Sequence, residues 1–171
     1  GGRLSVKVSE TGTSYYNVFV DGKLHKVVKV CGTDTLIHLV SGIDKRIHSL
    51  KIQKRSEGEF GKTTIHQFVL SGSGRLAEEP AVRTRHIEFI GNSLTCGYGT
   101  DGKHRDEPFL VETENCNLTF ASMVARYYDA DYTLIAHSGR GAARNYGDSV
   151  RVSKVTMKDR MLNTFDEDLT H

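Results

Sequence analysis

Ile87-Glu88-Phe89-Ile90-Gly91-Asn92-Ser93-Leu94-Thr95-Cys96-Gly97-Tyr98-Gly99 is an apolar run that stops abruptly at a small polar turn built round one serine. A short isoleucine and phenylalanine run closed by glycine reads as a buried strand. In open α/β sheets chemistry gathers just beyond the carboxyl ends of such strands, and Ser93 occupies that place. Downstream, residues 118–128 carry a helical pattern, with Asn117 as the expected N-cap and Phe120, Ala121, Val124, Ala125 and Tyr128 on one stripe. Residues 132–136 follow as a second strand. Strand, crossover helix and strand make a right-handed βαβ unit with parallel strands whose ends lie together. Ser93 and the turn Ser138-Gly139-Arg140-Gly141 are therefore expected to be neighbours. Val155, Met161, Leu162 and Phe165 allow a further helix within 152–165.

Upstream the rhythm is different. Residues 15–20 and 24–30 flank Asp21-Gly22, a dipeptide whose backbone twist suits a two-residue hairpin. Further strands are expected at 35–40, 46–54 and 63–70, separated by Ser41-Gly42 and by the polar stretch 56–61. Inward faces would use Val18 and Val20, and Ile47, Leu50 and Ile52. Short strands at even spacing suggest a β-sandwich of jelly-roll kind. Ser71-Gly72-Ser73-Gly74 and Glu78-Glu79-Pro80 form a composition break, placing the expected domain boundary between residues 80 and 81.

Composition narrows the function classes. The chain has 171 residues, 37% hydrophobic and 26% charged, as a globular protein does. Its 23 Lys+Arg against 21 Asp+Glu leave a formal charge of +2. No basic stripe interleaves with aromatics, so nucleic acid is not an expected partner. No apolar run approaches the ~20 residues a membrane span needs, and no membrane partner is expected. The chain begins Gly1-Gly2-Arg3, without an apolar signal core. Cys31, Cys96 and Cys116 fit neither an even disulfide framework nor a metal knuckle. They read as small buried thiols, with a Cys96–Cys116 bridge as the alternative. No His-x-His or His-Glu-x-x-His spacing marks a metal site. Gly61-Lys62-Thr63-Thr64 only mimics the end of a phosphate loop, because a strand rather than a helix follows it.

A serine hydroxyl needs a base to take its proton and donors for the oxyanion that forms. The backbone N–H of Ser93 and one from the 138–141 turn could converge on a single oxygen. Gly139 is the first choice and Gly141 the second, since glycine lets the main chain come close. His137 adjoins that turn and could reach Ser93, although packing or hydrogen bonding is the commoner role for a strand-end imidazole. Asp168-Leu169-Thr170-His171 has the spacing of an acid and base pair, but it follows the turn without intervening sheet-building segments. Both histidines are weak candidates for the base. His25, His38, His48, His66 and His104 read as surface or edge residues. Arg140 and Arg144 could orient the turn, contact a ligand's hydroxyls or form salt bridges to Asp148 or Asp129, and Tyr98 could stack on a ligand or pack under its loop.

Gly91-Asn92-Ser93-Leu94-Thr95-Cys96-Gly97-Tyr98-Gly99 resembles the first block of the SGNH (GDSL-type) hydrolases. Ser138-Gly139-Arg140-Gly141 with Arg144-Asn145 resembles the block that holds their oxyanion glycine. The sequence is more similar still to carbohydrate esterase family two, in which a small jelly roll precedes the hydrolase domain and the link resembles Lys54-Arg55-Ser56-Glu57 through Arg85-His86-Ile87-Glu88-Phe89-Ile90-Gly91. The resemblance implies an α/β and all-β chain: a jelly-roll-like β-sandwich over 1–80, incomplete at its start, then the N-terminal βαβ part of a parallel-sheet SGNH hydrolase domain over 81–171. It implies a serine esterase that removes O-acetyl groups from xylan or mannan, secreted or periplasmic, with no cofactor. Ser93 would be the nucleophile, Ser93 and Gly139 the oxyanion donors, and Asn92, Tyr98, Arg140 and Asn145 supports for the loop or substrate. Asn92 departs from the family's usual aspartate, keeping its polar shape without its charge. The family's Gly-x-Asn-Asp block and late histidine have no counterpart here, so the sequence reads as an internal piece of a longer enzyme, with hydrolysis by the chain alone left open and a complementing chain as one source of the missing parts. The alternative is a carbohydrate-binding β-sandwich protein with no catalytic role.

Overall fold

The computed structural model describes residues 2–44, 46–78, 83–163 and 168. The chain forms two compact units, Gly1–Lys54 with Phe60–Ala81, and Arg55–Glu59 with Val82–His171. No helix among the described residues is long and apolar enough to cross a membrane.

The first unit is built on one long hairpin. Strands β1 (Arg3–Val20) and β2 (Lys23–Ser41) pair antiparallel from Arg3↔Ser41 to Val20↔Lys23. Asp21 and Gly22 join them with φ of 51° and 76°, the doubly positive turn expected for this dipeptide. Strand β3 (Leu50–Lys54) pairs with the far half of β1, Tyr16–Val20, and β4 (Thr63–Ser71) pairs with the near half, Arg3–Glu10. Register shifts cluster between Val8 and Thr13, opposite Gly32 and Asp34, whose φ values are 75° and 57°. Such bulges bend a strand and increase its twist. Val6 and Val8, before the bend, pack in one buried cluster with Val18, Val30 and Leu39. The sheet thus doubles over on itself around its core.

Two expectations change here. Residues 24–30 and 35–40 are one strand rather than two, because the Cys31–Asp34 region forms a bulge instead of a turn. The strand expected from Arg46 begins only at Leu50, and Ile47 is 84% exposed. The chain before β3 is held as a loop by His48, whose Nδ1 lies 2.7 Å from Asp21 Oδ2 and whose Nε2 lies 2.9 Å from Asp44 Oδ1. These two hydrogen bonds raise the His48 pKa.

In the second unit β5 (His86–Gly91) and β6 (Asp131–Ala136) pair in parallel, from His86↔Asp131 to Gly91↔Ala136. Three short helices accompany them: α1 (Ser93–Cys96), α2 (Phe120–Tyr127) and α3 (Met157–Arg160). Helix α2 starts later than the sequence suggests. Thr119, not Asn117, is its N-cap, accepting from the Ser122 N–H, while Asn117 Oδ1 accepts from Arg126 Nη1 at 3.0 Å. Its stripe is narrower too: Ala121 and Ala125 are buried, whereas Phe120, Val124 and Tyr128 are exposed. Of the helix allowed over 152–165, the described residues 152–163 form the single turn of α3, and Phe165 lies outside the described residues. Arg55–Glu59, which the sequence presents as part of a polar connection between strands, packs within this second unit.

Candidate active site

The parallel register carries the two loops that matter to one end of the pair. Beyond Gly91↔Ala136 the ladder continues by one bond, from the His137 N–H to the Gly91 carbonyl at 3.3 Å. Ser93 then opens α1, and Gly139 sits in the turn two residues past His137.

Asn92 is the N-cap of α1, its Oδ1 accepting from the Leu94 N–H at 3.1 Å. This is the bond a capping aspartate would make, so the asparagine preserves the loop. Ser93 is half-buried, and its carbonyl accepts from Gly97 at 3.0 Å and Tyr98 at 3.1 Å. Neither its hydroxyl nor its N–H has a hydrogen-bond partner among the described residues. Gly97 ends the helix at φ 88°, and a Cβ there would lie 2.4 Å from the Asn115 carbonyl oxygen. Only glycine suits both demands.

The two glycines of the second turn differ. Gly139 adopts φ 75° with open space where a Cβ would be, and its N–H has no partner among the described residues. Gly141 donates its N–H to Asn145 Oδ1 at 3.3 Å, while its carbonyl accepts from Met157 at 2.9 Å. A donor already engaged in the loop is the poorer choice for an oxyanion. Asn145 is buried and organises this loop: its Nδ2 donates to the Val155 carbonyl at 2.8 Å, and its own N–H donates to Ser153 Oγ at 2.9 Å. Arg140 is half-buried, its N–H on the His137 carbonyl at 3.2 Å, and with Asn145, Asp148 and Lys154 it lines a shallow open groove. Tyr98 stacks on Phe109, ring centroids 3.7 Å apart.

His137 is buried, and its ring is set among a carbonyl and two carboxylates. Nδ1 donates to the Ser138 carbonyl at 2.8 Å and lies 3.8 Å from Glu57 Oε2, with Nε2 3.7 Å from Glu59 Oε2. No hydrogen bond joins it to Ser93 among the described residues. The Leu169-Thr170-His171 end of the Asp168 motif lies outside the described residues.

Behind the two loops lies a buried polar cluster that sequence reasoning missed. Glu57 Oε2 accepts from the Ser138 N–H at 2.7 Å and from Cys96 Sγ at 3.4 Å, and the Glu57 N–H donates to Glu114 Oε2 at 2.8 Å. Arg55 Nε donates to the Glu114 carbonyl at 2.7 Å, and its Nη2 to the Glu112 carbonyl at 3.0 Å and to Asp101. Burial, and then the charges of Glu57 and Glu114, push the Cys96 thiol far up, so it stays protonated. All three cysteines are free, which excludes the Cys96–Cys116 bridge. Glu57, Cys96 and Glu114 bring ligand atoms within 4.8 Å of one another, the donor set a metal would need.

The family model described as Carbohydrate esterase 2 N-terminal matches residues 1–80. A solved family two carbohydrate esterase from Clostridium thermocellum, in complex with cellohexaose, superposes with a TM-score of 0.89 at 33% identity, over 97% of this chain and 50% of that one. The chain is a relative of the family two carbohydrate esterases. Among curated proteins, the Cellulase/esterase CelE of Acetivibrio thermocellus is 35% identical over 147 residues, 86% of this chain and 18% of that protein. An Acetylxylan esterase / glucomannan deacetylase of Cellvibrio japonicus is 29% identical over 170 residues, 98% of this chain and 46% of that protein. The chain therefore spans half the length, or less, of these esterases.

Proposed function

We propose that this chain carries the nucleophile and oxyanion turn of a serine esterase that deacetylates a plant polysaccharide such as xylan or glucomannan. The observation that carries the reading is a pairing. Among the described residues, a serine whose hydroxyl is unengaged follows one parallel strand, and a glycine whose N–H is unengaged follows the strand beside it. Ser93 Oγ attacks the acetyl carbonyl carbon, and the oxygen that gains charge is held by the N–H groups of Ser93 and Gly139. The sugar hydroxyl leaves with a proton, and water then cleaves the acetyl-serine to release acetate. A base must take the Ser93 proton, and His137 is not assigned that part because its Nε2 lies 3.7 Å from Glu59 Oε2 and no hydrogen bond joins it to Ser93 among the described residues. Asn92 and Asn145 are supports of the two loops, and SGNH-type architecture accounts for this order of strand, serine turn, helix, strand and glycine turn. A polymeric substrate of this kind places the protein outside the cytoplasm, secreted or periplasmic.

A second reading draws on the family two relative solved with cellohexaose, an oligosaccharide without acetyl groups. On that reading the chain binds glucan and releases nothing. Incubation with acetylated xylan and acetylated glucomannan, followed by assay of free acetate, separates the two. Release above the protein-free blank is the expected result. Binding of cello-oligosaccharide with no acetate released would favour the second reading.

A further inference from the structure

The segment from Ser138 to Thr156 carries Arg140, Arg144, Arg151 and Lys154 against a single acid, Asp148. That acid is already engaged. Asp148 Oδ2 accepts from Ser153 Oγ and from Asn145 Nδ2, and Asp129, the other acid offered to these arginines by the sequence, pairs with Arg83 at 2.9 Å. Among the described residues none of the four cations has a carboxylate partner. Arg140, half-buried, and Lys154, exposed, line one groove of about 410 Å³ together with Asn145. Small-molecule sites commonly fall between about 300 and 1,000 Å³. The main chain on either side of both cations is tied down through Asn145. Arg140 lies between Gly139, whose carbonyl accepts from the Tyr146 N–H at 2.8 Å, and Gly141, whose N–H donates to Asn145 Oδ1 at 3.3 Å. Lys154 lies between Ser153, whose Oγ accepts from the Asn145 N–H at 2.9 Å, and Val155, whose carbonyl accepts from Asn145 Nδ2 at 2.8 Å. Like charges held on a fixed loop with no counter-charge raise the local potential and attract an anion, and the fixed main chain lowers the cost of ordering the site around it.

We propose that this groove is an anion subsite in which the Arg140 guanidinium and the Lys154 ammonium hold the carboxylate of a uronic acid unit, and that the polymer deacetylated at the adjoining turn bears uronic acid. The second clause rests on the esterase reading of Ser93 and Gly139; the first does not. Arg140 directly follows the oxyanion glycine, so a carboxylate in the groove belongs to a sugar unit close to the one whose ester is cleaved. A carboxylate suits the pair. The guanidinium can present two parallel N–H donors to its two oxygens, and the ammonium adds a further charge-assisted bond from a flexible stem. Arg140 and Lys154 hold the polymer at a distance from the acetyl group: they set which polymer binds and in what register, while Ser93 and the two main-chain donors act on the ester.

The test is calorimetric titration of the whole chain with a xylo-oligosaccharide bearing one glucuronate side unit, and with the same compound after its carboxyl has been reduced to an alcohol; neither needs turnover. The acid should bind about tenfold more tightly than the alcohol in dilute buffer, and the advantage should vanish in about 1 M salt. Arg140→Gln and Lys154→Gln should each remove about threefold of that advantage. Affinity for the alcohol should stay as in wild type, which shows that the variants are folded. Lys154→Arg keeps the charge and should keep the advantage. In turnover, the ratio of kcat/KM on acetylated glucuronoxylan to that on its carboxyl-reduced form should exceed one and fall in both Gln variants. Equal affinity for acid and alcohol, binding of neither, or an advantage that survives in the double Gln variant would overturn the proposal, as would phosphate or acetate alone binding as tightly as the acid. If the acid is preferred in binding while wild type releases no acetate from either polymer, the esterase reading fails and the subsite stands. If acetate is released equally from both and the affinities are equal, the subsite fails and the esterase reading stands.

Discussion

Ser93→Ala is expected to lower acetate release by about 10³-fold or more while leaving the melting temperature of the protein unchanged. The size of the loss follows from chemistry, because acyl transfer through an oxygen nucleophile has no substitute once the oxygen is gone. The absence of a stability effect follows from the structure. The Ser93 hydroxyl has no partner among the described residues, so alanine removes no hydrogen bond and leaves no buried group unpaired. Asn92 still caps α1 through Leu94, and the Ser93 carbonyl still receives Gly97 and Tyr98. Steady-state release and a thermal melt on the same sample check both halves. A melt lowered by several degrees would mean that the side chain is structural, and turnover left intact would remove Ser93 from the mechanism.

Arg55→Met is expected to destabilise the second unit by about 3 kcal/mol, read as a lowered urea midpoint. Arg55 is only 3% exposed and binds the carbonyls of Glu112 and Glu114 and the carboxylate of Asp101. Methionine fills the space but donates nothing, so two main-chain acceptors lose charge-assisted bonds and Asp101 loses its cation. Asp101 is 34% exposed and water can reach it, which sets the figure towards the lower end of what breaking a buried pair costs. The substitution should also loosen Asn115, whose Nδ2 donates to Asp101 at 3.1 Å and whose carbonyl lies against Gly97. A change below about 1 kcal/mol would show that water replaces the guanidinium without cost.

Local signals in the sequence were strong where one residue type alone meets a backbone demand. Asp21-Gly22 defined the hairpin because few dipeptides take two positive φ values, and Gly91, the last residue of β5, and Gly139, shortly after β6, marked where each strand ends. The two strands of the parallel pair were legible as apolar runs. Bends were not: Cys31–Asp34 reads as a turn between strands, and only the pairing of β1 across both halves of β2 makes it a bulge. Asn117 looked like a cap by type, but the Arg126 side chain claims it, leaving Thr119 at the helix start. The cluster behind the site was invisible because its partners are distant, Glu57 and Glu114 being 57 residues apart. Nothing in local spacing joins an acid in a connection between strands to another in a loop after the serine. The charged run Lys54-Arg55-Ser56-Glu57, buried from Arg55 to Glu57, was the one available hint.

The central claim is that the Ser93 hydroxyl is a nucleophile beside two main-chain donors. Its most direct test is treatment of the chain with a fluorophosphonate, which mimics the tetrahedral intermediate, followed by peptide mass spectrometry. One adduct on the peptide containing Ser93, lost in Ser93→Ala and slowed by acetylated xylan, is the predicted result. An adduct on another residue, or acetate release from a protein whose Ser93 stays unlabelled, would contradict it.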